Sequence, residues 1–149
     1  MVFRLPTRAE FLRAANGSSY NRPYAWQGNG IRDDEGNVRC NHLALDNTTI
    51  TRDQQTGEFK VIPYPFDCYT GGQLSNDLMA PSKSFWPNEF GLYNLNGNVS
   101  EMVAEEGIAV GGNWNSPGYD VRNQSTESFT KPSPMVGFRP VMTFVEKAE

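Results

Sequence analysis

One histidine and two cysteines are all the imidazole and thiol chemistry this 149-residue chain carries. A metal centre built on several histidines is therefore excluded within one chain, and two cysteines make no disulfide framework. No apolar run approaches the ~20 residues of a membrane-spanning helix. Basic side chains are few: 13 Lys+Arg against 17 Asp+Glu leave a net charge of −4, which argues against a non-specific nucleic-acid binder. Blocks of one charge sign, repeats and low-complexity tracts are absent, which disfavours a disordered tail. The common catalytic motifs are missing too. Gly28-Asn29-Gly30 has Asp33 where a dinucleotide loop needs its third glycine, and there is no phosphate loop, Gly-x-Ser-x-Gly elbow or Cys-x-x-Cys pair.

What is present suits one packed domain over residues 1–149. Hydrophobic residues at 38% and aromatics at 12% can fill a core without metal or disulfide staples. Gly and Pro together number 24 and Asn 14, so loops should occupy much of the chain. The first residues, Met1-Val2-Phe3-Arg4-Leu5-Pro6, have no basic start and no apolar leader segment. The chain as written is expected to be cytosolic, or a fragment that has lost a leader. Cys40 and Cys68 could pair, although free buried thiols are the better reading for so few cysteines.

Thr7-Arg8-Ala9-Glu10 is a capping box opening a helix, with Phe11, Ala14 and Ala15 on one apolar face and Gly17 as its stop. Strands are expected over Val38–Leu45, Phe59–Tyr64, from Ala109 into Gly111-Gly112, and over Met135–Val141, with Thr143-Phe144-Val145 as an extension. Asp46–Gly57 reads as an exposed loop or hairpin. The pattern is α+β with short strands and long structured loops.

Two clusters could carry chemistry. Cys40 and His42 would share one face of a strand, where a thiolate–imidazole pair is reactive; packing of a buried thiol explains them as well. Asn96-Gly97-Asn98-Val99-Ser100-Glu101 gathers amide, carbonyl and carboxylate oxygens in one turn, as a hard cation such as calcium prefers. The alternative is an asparagine-rich turn closed by its own side chains. Asn41 and Asp77 are looser oxygen donors.

Five stretches, in order, cover nearly the whole chain: Arg4-Leu5-Pro6-Thr7-Arg8-Ala9-Glu10-Phe11, Tyr24-Ala25-Trp26, Pro87-Asn88-Glu89-Phe90-Gly91-Leu92-Tyr93-Asn94 with Gly97-Asn98-Val99-Ser100-Glu101, Gly111-Gly112-Asn113-Trp114, and Val136-Gly137-Phe138-Arg139. They resemble the Arg-Leu-Pro-Thr-Glu-Ala-Glu-Trp, Tyr-Pro-Trp-Gly, Pro-Asn-x-Phe-Gly-Leu-Tyr-Asp with Gly-Asn-Val-Trp-Glu-Trp, Arg-Gly-Gly-Ser-Trp and Gly-Phe-Arg segments of the formylglycine-generating enzyme, or sulfatase-modifying-factor, family. The resemblance implies a C-type-lectin-like α+β fold and structural calcium. Position by position, Asn96, Gly97, Val99 and Glu101 fall on the family's calcium loop, Gly97 and Val99 through main-chain carbonyls. Asn41 and His42 fall on part of a second site, His42 through its carbonyl.

The catalytic part of the resemblance does not carry over. The family's two copper-binding cysteines correspond to Ser116 and Val121, so no copper is expected, nor an enzyme. Trp is replaced at Ser100 and Met102, which marks a divergent member. A segment that precedes Arg-Leu-Pro-Thr in the family has no counterpart. Its lack should leave an open sheet edge and bare the core beside Phe11, Trp26 and Trp114, so a protein partner or self-association is expected to complete the domain.

Three functions follow as expectations. The first is a non-catalytic, calcium-stabilised binding or scaffold module, similar to scaffold lipoproteins of Bacteroidetes gliding and type IX secretion machinery, which would place it in the periplasm or cell envelope. The second is a lectin-like protein with a variable face, of the retroelement-diversified or phage receptor-binding type, using Asn113, Asn115, Ser116, Tyr119, Asp120, Asn123 and Ser125 for a protein or glycan ligand. The third is an oxidoreductase relative of the formylglycine-generating enzymes.

Overall fold

The computed structural model describes residues 1–35, 37–43, 48–63 and 79–144. The expected helix forms as α1 (Arg8–Asn16). Its N-cap is closed both ways: the Glu10 N–H donates to Thr7 Oγ1 at 3.2 Å and the Thr7 N–H to Glu10 Oε2 at 2.8 Å, satisfying two N–H groups that a helix start leaves unpaired. Gly17, at φ 63°, ends it. Phe11 and Ala15 turn inward.

Strand β1 (Val2–Arg4) pairs antiparallel with the C-terminal β8 (Val141–Thr143). Strands β2 (Thr48–Arg52) and β3 (Phe59–Pro63) form a hairpin, so the hairpin alternative for the 46–57 stretch holds. The central sheet is mixed, in the order β6 (Thr126–Ser128), β5 (Ile108–Val110), β4 (Ser100–Met102), β7 (Val136–Phe138), with only β4 and β7 parallel. The expected closing strand is split at Arg139-Pro140, because proline cannot donate to the ladder. Over 38–43, the described part of the expected Val38–Leu45 strand, only single bridges form, Arg32 with Val38 and Leu43 with Pro117.

Two apolar clusters hold these pieces. One joins Phe11 and Ala15 of α1 to Ala25, Leu95, Val103 and Val110; the other joins Tyr24, Trp26, Cys40 and Val121. Within the second, Tyr24 and Trp26 stack with centroids 4.7 Å apart. The expected bare core beside Phe11 and Trp26 is therefore corrected: they are 2% and 8% exposed. Apolar exposure lies instead at Phe3, Phe138, Met142 and Phe144 on and beside β1, β7 and β8, and at Trp86 and Phe90 before the asparagine loop. No helix among the described residues is long and apolar enough to cross a membrane.

Candidate functional site

The asparagine loop between Leu95 and Glu101 is the structural hub. Its entry bends at Gly97 (φ 70°) and Asn98 (φ 66°). Gly97 is required here, since a Cβ would collide with the Asn41 carbonyl. Asn96 is 2% exposed and its amide is fully engaged. Its Oδ1 accepts from the Ala25 N–H at 2.8 Å, and its Nδ2 donates to Val121 O at 2.7 Å and Asn123 Oδ1 at 2.9 Å. Asn98 plays the same part for another segment: Oδ1 accepts from the Ala80 N–H at 2.7 Å and Nδ2 donates to Ala80 O at 3.1 Å. Asparagine suits both positions because one amide presents a donor and an acceptor together.

Glu101, next on β4, is buried and faces Arg139 across the end of β7. Arg139 Nε lies 2.9 and 3.1 Å from the two carboxylate oxygens, and Nη2 lies 2.6 Å from Oε1. Burial works against the arginine charge, yet the Glu101 hydrogen bonds raise its pKa above the ordinary value.

Calcium can be weighed against this arrangement. The Asn96 side chain does not fit as a ligand, because its oxygen serves Ala25. The main-chain oxygens of Asn96 and Gly97 do fit: both residues are buried, and the described residues send neither oxygen a hydrogen bond. Buried carbonyls without a donor are rare and call for a partner. The Glu101 carboxylate, already bonded to Arg139 through both oxygens, has only its remaining lone pairs to offer a cation. Asn41 is buried, its carbonyl accepting from the Asn98 N–H at 2.8 Å. His42 is buried with Nδ1 3.2 Å from Cys40 O, and desolvation lowers its pKa. The Cys40 sulfur lies 3.8 Å from that ring nitrogen, but burial pushes its pKa far up. A neutral thiol is inert as a nucleophile, so the packing reading of this pair stands. Asp77 and Cys68 lie outside the described residues.

The second part of the site follows the Gly111-Gly112 turn. Gly112, at φ 68°, lets the chain pass Asp120 O, which a Cβ would meet at 2.6 Å. Asn113 is then buried and directs the loop. Its N–H donates to Ser116 Oγ at 3.1 Å, its Oδ1 accepts from the Asn115 N–H at 2.9 Å, and its Nδ2 reaches Ser100 Oγ at 3.2 Å and Glu127 at 3.3 Å. Two adjoining cavities of about 490 and 290 Å³ open here, sharing Ser116, Asp120 and Glu127. Asn113 and Asn115 line the first, Ser125 the second. Asp120 also pairs with Arg52 at the end of β2.

Of the expected ligand face, then, Asn113, Asn115, Ser116, Asp120 and Ser125 come together. Asn123 is a correction: at 1% exposure it donates to Asn16 Oδ1 and Arg22 O and accepts from Asn96. It braces the interior and cannot touch a ligand. Tyr119 is exposed outside the cleft, with Arg122 stacked 3.8 Å from its ring. Glu127 and Arg52 were not singled out from sequence. Alternation in Thr126-Glu127-Ser128 turns Glu127 inward, a signal too short to read alone.

Comparison with known proteins decides the family. Residues 2–144 match the Sulfatase-modifying factor enzyme 1-like domain. The chain belongs to the sulfatase-modifying factor family. It is 39% identical over 102 residues to a formylglycine-generating enzyme of Thermomonospora curvata, covering 68% of this chain and 27% of that protein. A formylglycine-generating enzyme of Streptomyces coelicolor is 35% identical over 116 residues, covering 78% and 28%. The chain thus spans little more than a quarter of the length of these curated relatives. Three solved structures share the fold: Treponema denticola variable protein 1 (TM-score 0.60, 19% identity), PvdO from Pseudomonas aeruginosa (0.58, 20%) and CarF (0.55, 22%). Each match covers 93% of this chain, and 46%, 51% and 46% of the respective structures.

These relatives correct one expectation. The chain was not expected to be an enzyme, but the family members it matches in sequence are named as enzymes. Ser116 and Val121, which the sequence resemblance sets against the family's copper-binding cysteines, are a separate matter. Ser116 sits in the cleft with its hydroxyl accepting from Asn113, while Val121 is fully buried in the apolar cluster with Cys40. A hydroxyl and an isopropyl group do not fit a soft Cu(I) ion.

Proposed function

We propose that this chain is a calcium-stabilised binding module of the sulfatase-modifying factor family, with a C-type-lectin-like fold, whose polypeptide ligand lies in the cleft at Ser116, Asp120 and Glu127. The observation that carries this reading is the Asn113 side chain. From a buried position it bonds the Asn115 N–H and Glu127, while its own main-chain N–H holds the Ser116 hydroxyl, so the polar lining of the cleft is organised before any ligand arrives. β6 supports an extended ligand: it is one of the two edges of the central sheet among the described strands, and Thr126, Glu127 and Ser128 all line the cavities. Calcium would be held by the main-chain oxygens of Asn96, Gly97 and Val99 and the carboxylate of Glu101, anchoring the loop on which β4 and the 113–116 turn rest.

Selection from a displayed library of random heptapeptides tests the reading. Peptides should enrich, and Asp120→Asn with Glu127→Gln should weaken them at least about tenfold. Failure to enrich, or equal binding to the double variant, would overturn it.

A second reading is an oxidoreductase relative, favoured by the 39% identity to a formylglycine-generating enzyme. Under it, a cysteine-containing peptide incubated with the protein, oxygen and a thiol reductant loses its sulfur as sulfide and gains an aldehyde detectable by an aminooxy probe.

A further inference from the structure

A separate cleft lies between the 22–39 segment and the 84–89 segment, sharing no residue with the cavities at Ser116. It holds about 360 Å³ and continues into a narrow extension bounded by Trp86, Trp26 and Arg39. Trp86 is 52% exposed, unusual for so large an apolar ring. It is also held there. Phe85, the residue before it, has φ 62°, a left-handed conformation unfavourable to a bulky aromatic. Pro87 after it restricts Trp86 to extended backbone. Arg39 stacks 4.8 Å from the indole centroid, and Asp33 fixes Arg39 at 3.1 Å. Asp33 is itself set by the N–H groups of Glu35 and Asn37, at 3.1 and 2.8 Å. Backbone strain, a cation–π contact and a part-buried ion pair thus combine to present an aromatic surface in the extension of a polar cleft.

The chemistry of the walls narrows the ligand. Four carboxylates, Asp33, Asp34, Glu35 and Glu89, face two guanidiniums, Arg22 and Arg39, so phosphate, sulfate and acidic sugars are disfavoured. A purely apolar ligand would desolvate those carboxylates without pairing them. A cation on the Trp86 ring would be repelled by the Arg39 guanidinium that already covers one face, whereas an uncharged ligand on the other face would not. A proline-rich strand needs an aromatic-lined groove, but Trp26 is 8% exposed and stacked on Tyr24, leaving one open ring. A neutral sugar meets every wall. Its C–H face covers Trp86 and its hydroxyls donate to carboxylates. The same hydroxyls accept from guanidinium N–H groups. Asp34, Glu35 and Gln27 line the cleft and their side chains make no hydrogen bond among the described residues.

We infer that the Trp86–Arg39 cleft is a binding site for a neutral carbohydrate, one ring stacking on Trp86. Calorimetric titration of the full chain with cellotriose, chitotriose, mannotriose and maltotriose tests it, with sialyllactose and a proline-rich decapeptide alongside. At least one neutral trisaccharide should bind with Kd of about 1 mM or tighter. Trp86→Ala should weaken that sugar at least about tenfold and Trp86→Phe by only about threefold, while Glu127→Gln leaves it unchanged. The proposal is overturned if no neutral trisaccharide binds, if Trp86→Ala binds as well as wild type, or if only sialyllactose or the decapeptide binds. Its failure leaves the Ser116 cleft reading intact, because the two sites share no residue.

Discussion

Arg139, just past the end of β7, grips both carboxylate oxygens of Glu101 on β4 and also donates to the Tyr93 carbonyl at 2.7 Å. One guanidinium therefore ties the parallel strand pair to the segment leading into the asparagine loop. Breaking such a pair strands a charge, which costs more than the pair itself is worth. Arg139→Ala should destabilise the fold by about 3 kcal/mol, at the low end for buried pairs because the arginine side chain keeps 30% exposure. Arg139→Met with Glu101→Gln should recover part of that loss. Urea titration of wild type and the two variants checks this, and equal losses would deny the stranded-charge explanation.

Calcium binding to the native state alone raises the melting temperature by mass action. With free calcium about 100-fold above Kd, chelation should lower it by roughly 5–10 °C. Glu101→Ala should melt lower and respond weakly to chelator. If chelation moves neither protein, calcium is not part of this fold.

Asn96 and Asn123 act as one unit. Asn96→Ala leaves the Ala25 N–H and Val121 carbonyl unpaired and should cost about 3 kcal/mol. Asn123→Ala should cost less, and the two should couple by about 0.5–3 kcal/mol in a double-mutant cycle. Strict additivity in denaturant titrations would show that the 2.9 Å contact between them carries no energy.

Acid sensitivity is expected at the helix start. The hydrogen bond from Arg4, then that from the Thr7 N–H, hold the Glu10 carboxyl down at about 2, against an ordinary 4.5. A depressed folded pKa gives stability that is present above the unfolded value and lost as pH falls through the folded one. The melting-temperature gap between wild type and Glu10→Gln should be constant above pH about 5 and shrink toward pH about 2. A gap that widens on acidification would contradict the assignment.

Local signals were the legible ones. Thr7 and Glu10 give the helix start away because a capping box is read within four residues, whereas the closing strand was read straight through Pro140, where it breaks. The motif order from Arg4 to Arg139 carried the family. What could not be read were partnerships between distant segments. Asn123 looks like surface polarity in sequence, yet it sits under Asn96, 27 positions away. Glu127 enters the cleft only because β6 pairs with β5, and Trp86 becomes a platform only through Arg39, 47 positions earlier. The enzyme expectation failed for another reason: two substituted positions were weighed above the relatedness of the whole chain.

The claim at the centre of this account is that ligand lies along β6 at Ser116, Asp120 and Glu127. Amide chemical-shift mapping of the labelled chain, titrated with an enriched heptapeptide, tests it most directly. The account expects the largest shifts at Asn113–Ser116, Asp120 and Thr126–Ser128, with the β1–β8 pair unmoved. Shifts gathered at Phe3, Phe138 and Met142, with the 113–128 region silent, would contradict it.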